Sequence, residues 1–124
     1  KIQKKKFFEV WGTGKSFREL IFVDDLADAC IYFMKKKTKE SLINIGTGKE
    51  MRIKDYVKFL IKKLNLKVKI KFDRRKPDGV FRKVLDVKLA KKYGWKYKTS
   101  LNEGFDITYK AFLKNYKNLK NYKN

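Results

Sequence analysis

The sequence contains no histidine, so side-chain chemistry would have to come from tyrosine–lysine pairs, glycine turns, carboxylate pairs or the one cysteine. A tyrosine can serve as acid or base when an ammonium one helical turn away lowers its pKa. Two such pairs occur, Tyr32 with Lys36 and Tyr116 with Lys120. With seven Tyr and 29 Lys among 124 residues, chance supplies that many, and neither pair is a catalytic candidate. Gly12-Thr13-Gly14 and Gly46-Thr47-Gly48 invite a dinucleotide reading. Both fail it, because Phe17 and Met51 stand where the third glycine belongs. No glycine-spaced loop closes on Gly-Lys-Ser/Thr, so a phosphate-cradling loop of that kind is absent too. Asp24 and Asp25 look like a carboxylate pair, but a helix start explains them: Asp24 as N-cap, Asp25 and Asp28 in the first turn. Cys30 is expected on the packed face of that helix, inert rather than reactive. One cysteine allows no internal disulfide and suits a reducing, cytoplasmic setting. Without histidine a zinc site is excluded.

The elements that would position any site alternate short extended runs with amphipathic helices. Phe7 to Trp11 and Phe17 to Val23 read as extended on either side of the Gly12–Ser16 turn. Leu26, Ala29, Cys30, Phe33 and Met34 recur at helical spacing, which predicts a helix from Asp25 to Lys36. Ser41 to Ile45 reads as a short buried strand closed by Gly46. Helical periodicity returns over Ile53 to Leu64, and Val68 to Phe72 alternates as a strand does. Asp73 to Arg82, around the single proline Pro77, is irregular. A short helix from Val87 to Tyr93 ends on Gly94. Ser100-Leu101-Asn102-Glu103 is a capping box opening a last helix to Leu113 or beyond. The class is small α/β. Residues 1–7 form a basic lead-in, 8–115 a single lobe, and 116–124 a Lys/Asn/Tyr tail expected to fray.

The formal charge of +21 is spread along the whole chain. Of 34 basic residues only Arg18, Arg52, Arg74, Arg75 and Arg82 are arginine. Bidentate reading of bases favours Arg, and no aromatic–Arg interleaving appears, so no specific nucleic-acid partner is expected. The Lys, Asn, Tyr, Ile and Phe content matches the drift of an AT-rich genome; a diffuse polyanion-binding surface is the competing account. No run approaches the roughly 18 apolar residues of a membrane span, and no apolar leader follows the basic start.

Four blocks stand in a fixed order: Val10-Trp11-Gly12-Thr13-Gly14 running on to Arg18-Glu19; Val23-Asp24-Asp25-Leu26-Ala27-Asp28-Ala29; Ile43-Asn44-Ile45-Gly46-Thr47-Gly48; and Lys76-Pro77-Asp78-Gly79-Val80-Phe81-Arg82-Lys83-Val84-Leu85-Asp86-Val87. The first three resemble the extended short-chain dehydrogenase family of sugar-nucleotide epimerases, dehydratases and reductases. The fourth is similar to the GDP-L-fucose synthases within it. The resemblance spans roughly residues 8 to 115 and implies the carboxyl-terminal, substrate-binding lobe of such an enzyme. The Rossmann domain, the NADP it binds and the catalytic residues are then expected upstream, so this chain by itself should lack reductase activity. The full-length protein, by the same resemblance, is an NADP-dependent epimerase-reductase, a homodimer, turning GDP-4-keto-6-deoxy-D-mannose into GDP-L-fucose.

By the same resemblance Trp11, Arg18, Asp78 and Lys83 line the substrate site, and no residue of this chain is catalytic, cofactor-binding or metal-binding. Their chemistry suits the role. An indole offers a flat face and one N–H. Arg18 can grip a pyrophosphate bidentately, Lys83 adds a point charge, and Asp78 accepts from sugar hydroxyls or guanine donors. Each also has a plain structural account: Trp11 as a core aromatic, Arg18 in a salt bridge with Glu19 or Asp24, Lys83 as one solvated lysine among many, Asp78 as a turn residue. Arg74, Arg75 and Lys76 read as a solvated loop within reach of phosphates. Phe22 departs from the family, where many members carry His. Another sugar-nucleotide epimerase or dehydratase, or a basic nucleic-acid-binding module, are the alternative functions.

Overall fold

The computed structural model describes residues 6–121, with side chains as far as Tyr116. In chain order the elements are β1 (Phe7–Trp11), β2 (Phe17–Glu19), α1 (Val23–Lys35), β3 (Glu50–Arg52), α2 (Ile53–Lys63), β4 (Lys69–Asp73), β5 (Arg82–Lys83), α3 (Lys88–Lys92) and α4 (Leu101–Asn121). They form two compact units, each assembled from separated stretches of chain. One runs to Glu19 and resumes over Gly48–Leu85; the other takes Leu20–Thr47 and continues from Asp86.

The first unit holds all five strands and α2. β1 and β4 pair in parallel, from Phe7 opposite Lys69 to Trp11 opposite Asp73. Parallel neighbours need a crossover connection, and α2 lies on the stretch between them. The Gly12 N–H extends the ladder to the Asp73 carbonyl at 2.9 Å. β2 lies at the centre of a second sheet, antiparallel to β3 and parallel to β5. α2 starts directly after β3, with Asp55 in its first turn and Lys62 and Lys63 in its last, both favourable against the helix dipole. It ends in a Schellman turn: the Asn65 N–H bonds the Lys62 carbonyl at 3.2 Å and the Leu66 N–H the Ile61 carbonyl at 3.0 Å. Asn65 takes the left-handed φ of 48° that this turn demands.

The second unit packs around Ala29, Ala90 and Trp95, with Ile21, Tyr32, Phe33, Ile43, Ile45 and Tyr97 against them. Polar groups fasten it. Asp25, buried on α1, accepts the Thr99 N–H at 2.8 Å, and Asp28 accepts the Trp95 indole N–H at 3.1 Å. The Tyr32 hydroxyl donates to the Tyr93 carbonyl at 2.7 Å, and the Tyr93 hydroxyl meets Glu40. α3 ends in a second Schellman turn on Gly94, whose N–H bonds the Lys91 carbonyl at 2.9 Å while Trp95 N–H bonds Ala90 at 3.0 Å. The capping box of α4 forms in full. The Ser100 N–H and hydroxyl both donate to Glu103, at 3.0 and 2.8 Å, and the Glu103 N–H returns to the Ser100 hydroxyl at 3.2 Å.

Five expectations change. α1 starts at Val23 with Phe22 before it and no side-chain cap, so Asp24 sits inside the first turn, and Asp25 holds the 95–99 segment. Cys30 is exposed, along with Val23, Leu26, Ile31 and Met34, because α1 turns Ala29 inward. The stretch 41–45 alternates as a strand would, with Ile43 and Ile45 half-buried and Leu42 and Asn44 out, but no ladder forms on it. The strand found nearby is β3, three residues without a run of β-formers to announce it. Finally, α4 continues to Asn121, through most of the stretch expected to fray, while 122–124 and lead-in residues 1–5 lie outside the described residues. Among the described residues no helix is long and apolar enough to cross a membrane.

Candidate functional site

All four residues singled out in the sequence fall in the first unit. The register β2–β5 sets Arg18 directly opposite Lys83. Opposite residues of adjacent strands share a face about 4.8 Å apart, so the two cations stand side by side although far apart in sequence. Met51 of β3, opposite Arg18 on the other side, completes that row. The reverse face carries Phe17 between Arg52 and Arg82. There the Arg52 guanidinium lies 5.3 Å from the Phe17 ring centroid, and Arg82 pairs with Glu50 at 2.7 Å. Consecutive cations of the Arg82-Lys83 pair thus serve opposite faces, and Lys83, exposed, is turned to the Arg18 side.

Arg18 is half-buried and makes no ion pair with Glu19 or Asp24. Its Nη1 donates to the Phe17 carbonyl at 2.6 Å and to the Val80 carbonyl at 2.8 Å. Two main-chain acceptors on one nitrogen fix the plane of the guanidinium and leave its positive charge unneutralised. Glu19 is committed elsewhere: one carboxylate oxygen accepts the Gly48 N–H at 2.7 Å, the other the Leu85 N–H at 2.8 Å. A carboxylate bridging two distant main-chain stretches has no local spacing to betray it.

Trp11 closes β1 and is 68% exposed, so it is no core aromatic. The Lys76 ammonium stands 5.1 Å from its ring centroid, a cation–π contact. The turn that follows is built on the approach of Asp78. Thr13 donates its N–H and its hydroxyl to the two Asp78 carboxylate oxygens, each at 2.6 Å. These bonds hold the Asp78 carboxyl below the usual range. A Cβ at Gly12 would overlap that carboxylate, and Gly12 has φ +78°, so only glycine suits the position. The buried Ser16 hydroxyl donates to the Asp78 carbonyl at 3.2 Å, and the Phe17 N–H to the Phe81 carbonyl at 2.8 Å. Of the three basic residues before Pro77, Arg75 is spent on Asp73. Its hydrogen bonds are the main cause holding the Asp73 pKa down to about 2.

Phe22 packs against Gly104 of α4, with ring carbons 3.2–3.4 Å from where a Cβ would lie. Its role is therefore packing within the second unit. Gly12–Gly14 runs into β2 and Gly46–Gly48 into β3, and the first N–H groups of α2 are taken up by the first turn, Ile53 donating to the Ser16 carbonyl at 2.9 Å and Lys54 to the Gly14 carbonyl at 3.0 Å. Among the described residues no cluster of three metal-ligating side chains forms.

Residues 1–46 match the NAD dependent epimerase/dehydratase family. The GDP-L-fucose synthase 1 of Arabidopsis thaliana is 39% identical over 106 residues, covering 86% of this chain and 33% of that protein. The GDP-L-fucose synthase of Escherichia coli K12 is 38% identical over 115 residues, covering 86% of this chain and 36% of its own length. A Campylobacter jejuni GDP-6-OMe-4-keto-L-xylo-heptose reductase structure superposes with a TM-score of 0.79 at 33% identity, over 88% of this chain and 34% of that one. The chain spans about a third of the length of the curated relatives it matches.

Proposed function

The chain belongs to the NAD-dependent epimerase/dehydratase family, and from that membership we propose that it is the GDP-sugar-binding part of a GDP-L-fucose synthase. The whole protein, in this proposal, converts GDP-4-keto-6-deoxy-D-mannose to GDP-L-fucose by epimerisation and NADPH reduction. The observation that carries the binding role is the β2–β5 register, which sets Arg18 and Lys83 side by side on one sheet face. Two adjacent cations, one a planar fork and one a point charge, suit a diphosphate. Arg18 enters the encounter already oriented, because its Nη1 is tied to two carbonyls; little side-chain entropy is left to lose. Trp11 presents an exposed indole face to a ring of the ligand, with Lys76 beside it. Asp78 borders that face, its carboxylate bound to Thr13 in the turn that joins Trp11 to β2.

NADPH would supply the hydride where it is bound, and no step of hydride transfer is assigned to the residues here. What this chain contributes is capture and orientation of the nucleotide-sugar. Titration with GDP, CDP and GTP at two salt concentrations tests the proposal. A built site prefers GDP to CDP and keeps that preference in salt. Affinity that follows phosphate number alone, and collapses as salt screens it, assigns the chain to diffuse polyanion binding instead.

A further inference from the structure

Resting on that reading of the Trp11, Arg18 and Lys83 face, we infer that Asp78 is a positioning residue: its carboxylate latches the 76–81 loop onto the Gly12–Thr13 turn and sets where Trp11 and Arg18 stand, without meeting the ligand. Thr13 meets both oxygens, one through its N–H and the other through its hydroxyl, each at 2.6 Å. The neighbouring contacts run out from that point in two directions. Toward β1, the approach is so close that Gly12, next to Trp11, admits no side chain. Toward β2, the Asp78 carbonyl takes the Ser16 hydroxyl at 3.2 Å, and Val80, two residues on, takes Arg18 Nη1 at 2.8 Å. The same loop brings Lys76 over the Trp11 ring. Loosening Asp78 therefore releases the indole on one side and the guanidinium on the other.

Charge points the same way. A carboxylate offered freely beside a diphosphate would repel it. One that accepts an N–H and an O–H has its charge directed into the turn and leaves the cations of the adjacent sheet face dominant. The Thr13 bonds favour the ionised form, as a latch built on two donors requires.

The test compares Asp78→Ala, Asp78→Asn, Thr13→Val and the Asp78→Ala/Thr13→Val double variant of this chain. Asparagine is the discriminating substitution. Its oxygen can accept the Thr13 N–H, and its amide can donate to the Thr13 hydroxyl, so the latch survives without the charge. GDP affinity is expected to fall about tenfold in Asp78→Ala and to stay within about twofold of the parent in Asp78→Asn. Thr13→Val should lose less than Asp78→Ala, and the double variant no more than Asp78→Ala, since both break one linkage. Asp78→Asn losing as much as Asp78→Ala, or losses that add in the double variant, would make Asp78 a direct ligand contact and overturn the inference. A ligand-free readout separates this outcome from failure of the proposed function. Hydrogen exchange at the Thr13 amide should be slow in the parent and in Asp78→Asn, and fast in Asp78→Ala. If the parent binds no GDP the binding role falls, and the Thr13 amide still judges the latch: unchanged protection in Asp78→Ala refutes it.

Discussion

Arg18 and Lys83 stand opposite one another on adjacent strands, yet removing them should have different consequences. Lys83 is exposed and makes no side-chain hydrogen bond or ion pair among the described residues, so Lys83→Ala costs the fold almost nothing. Arg18 is half-buried, and its Nη1 donates to the Phe17 carbonyl within β2 at 2.6 Å and to the Val80 carbonyl at 2.8 Å, the second bond tying β2 to the 80–81 segment. Hydrogen bonds from a charged donor are worth about 1.5–3 kcal/mol when buried, and neutral ones about 0.5–1.5. Here one acceptor, Val80, is exposed, and solvent replaces part of what is lost. The lower figures apply, giving about 1–2 kcal/mol of stability for Arg18→Ala. At this chain length each kcal/mol moves Tm by about 4 °C, so a fall of about 4–8 °C is expected. For GDP, both variants lose a charge-assisted contact, about 1.5–3 kcal/mol or ten- to a hundredfold in affinity.

Scanning calorimetry and GDP titration on the same preparations, with Lys91→Ala at an exposed position of α3 as the control, check the pattern. Arg18→Ala should lower both Tm and affinity, Lys83→Ala affinity alone, and Lys91→Ala neither beyond a small salt-sensitive effect. Arg18→Lys should recover little of either, because one ammonium cannot hold two carbonyls and still present a fork. The reasoning fails if Arg18→Ala leaves Tm unchanged, or if Lys91→Ala weakens GDP as much as Lys83→Ala does.

Four further outcomes follow from the geometry. Asp25→Ala strands the Thr99 N–H beside a buried site and should cost about 1–3 kcal/mol, read as an earlier urea midpoint at unchanged slope. Ser100→Ala removes the capping box of α4 and should cost about 1 kcal/mol, with a loss of far-ultraviolet helical signal on warming that Ser100→Asp largely restores. Asp73, held at about 2 by Arg75, lies below its ordinary value of 3.8; its contribution is present above that ordinary value and is lost as pH falls through about 2. Arg75→Ala should thus shift acid unfolding to higher pH, and a destabilisation undiminished at the lowest pH would contradict the pairing. Cys30, exposed on α1, should react with a thiol reagent in the native protein as fast as in denaturant; burial-limited labelling would place α1 the other way round.

What could be read directly from the sequence shares one property: each feature is made by residues a few positions apart. The Ser100–Glu103 box, the Gly94 turn, the turn-to-turn periodicity of α2 and the alternation of β4 are each set by neighbours within one helical turn or one strand, and each forms as read. α1 shows where periodicity runs out. Val23, Leu26, Ala29, Cys30, Ile31, Phe33 and Met34 supply apolar residues over more than one arc, so spacing alone cannot choose which arc turns inward. Ala29 is fully buried and Met34 is 85% exposed, a choice made by Trp95 and Ala90 across the core. β3 gave no signal either, because Glu50-Met51-Arg52 is extended only by virtue of its pairing with β2.

The site lies wholly on the unreadable side of that divide. Trp11, Arg18, Asp78 and Lys83 were picked out by resemblance, and nothing in their spacing says that Arg18 and Lys83 share a row or that Asp78 is turned onto Thr13. A parallel register between β2 and β5 places those cations together, and residues flanking Arg18 on β2 help to hold it: Glu19 accepts the Leu85 N–H at 2.8 Å, and the Phe17 N–H donates to the Phe81 carbonyl at 2.8 Å. A slip of one residue would turn Lys83 to the Phe17 face and bring Arg82, now paired with Glu50, to the Arg18 side. The charge of the face would survive such a slip, but its geometry would not: the long fork of Arg82 would replace the point charge, and Glu50 would lose its partner. The polar bonds around β2 therefore act as register pins, and Glu19 serves the Arg18–Lys83 face by holding the Gly48 and Leu85 N–H groups on either side of it.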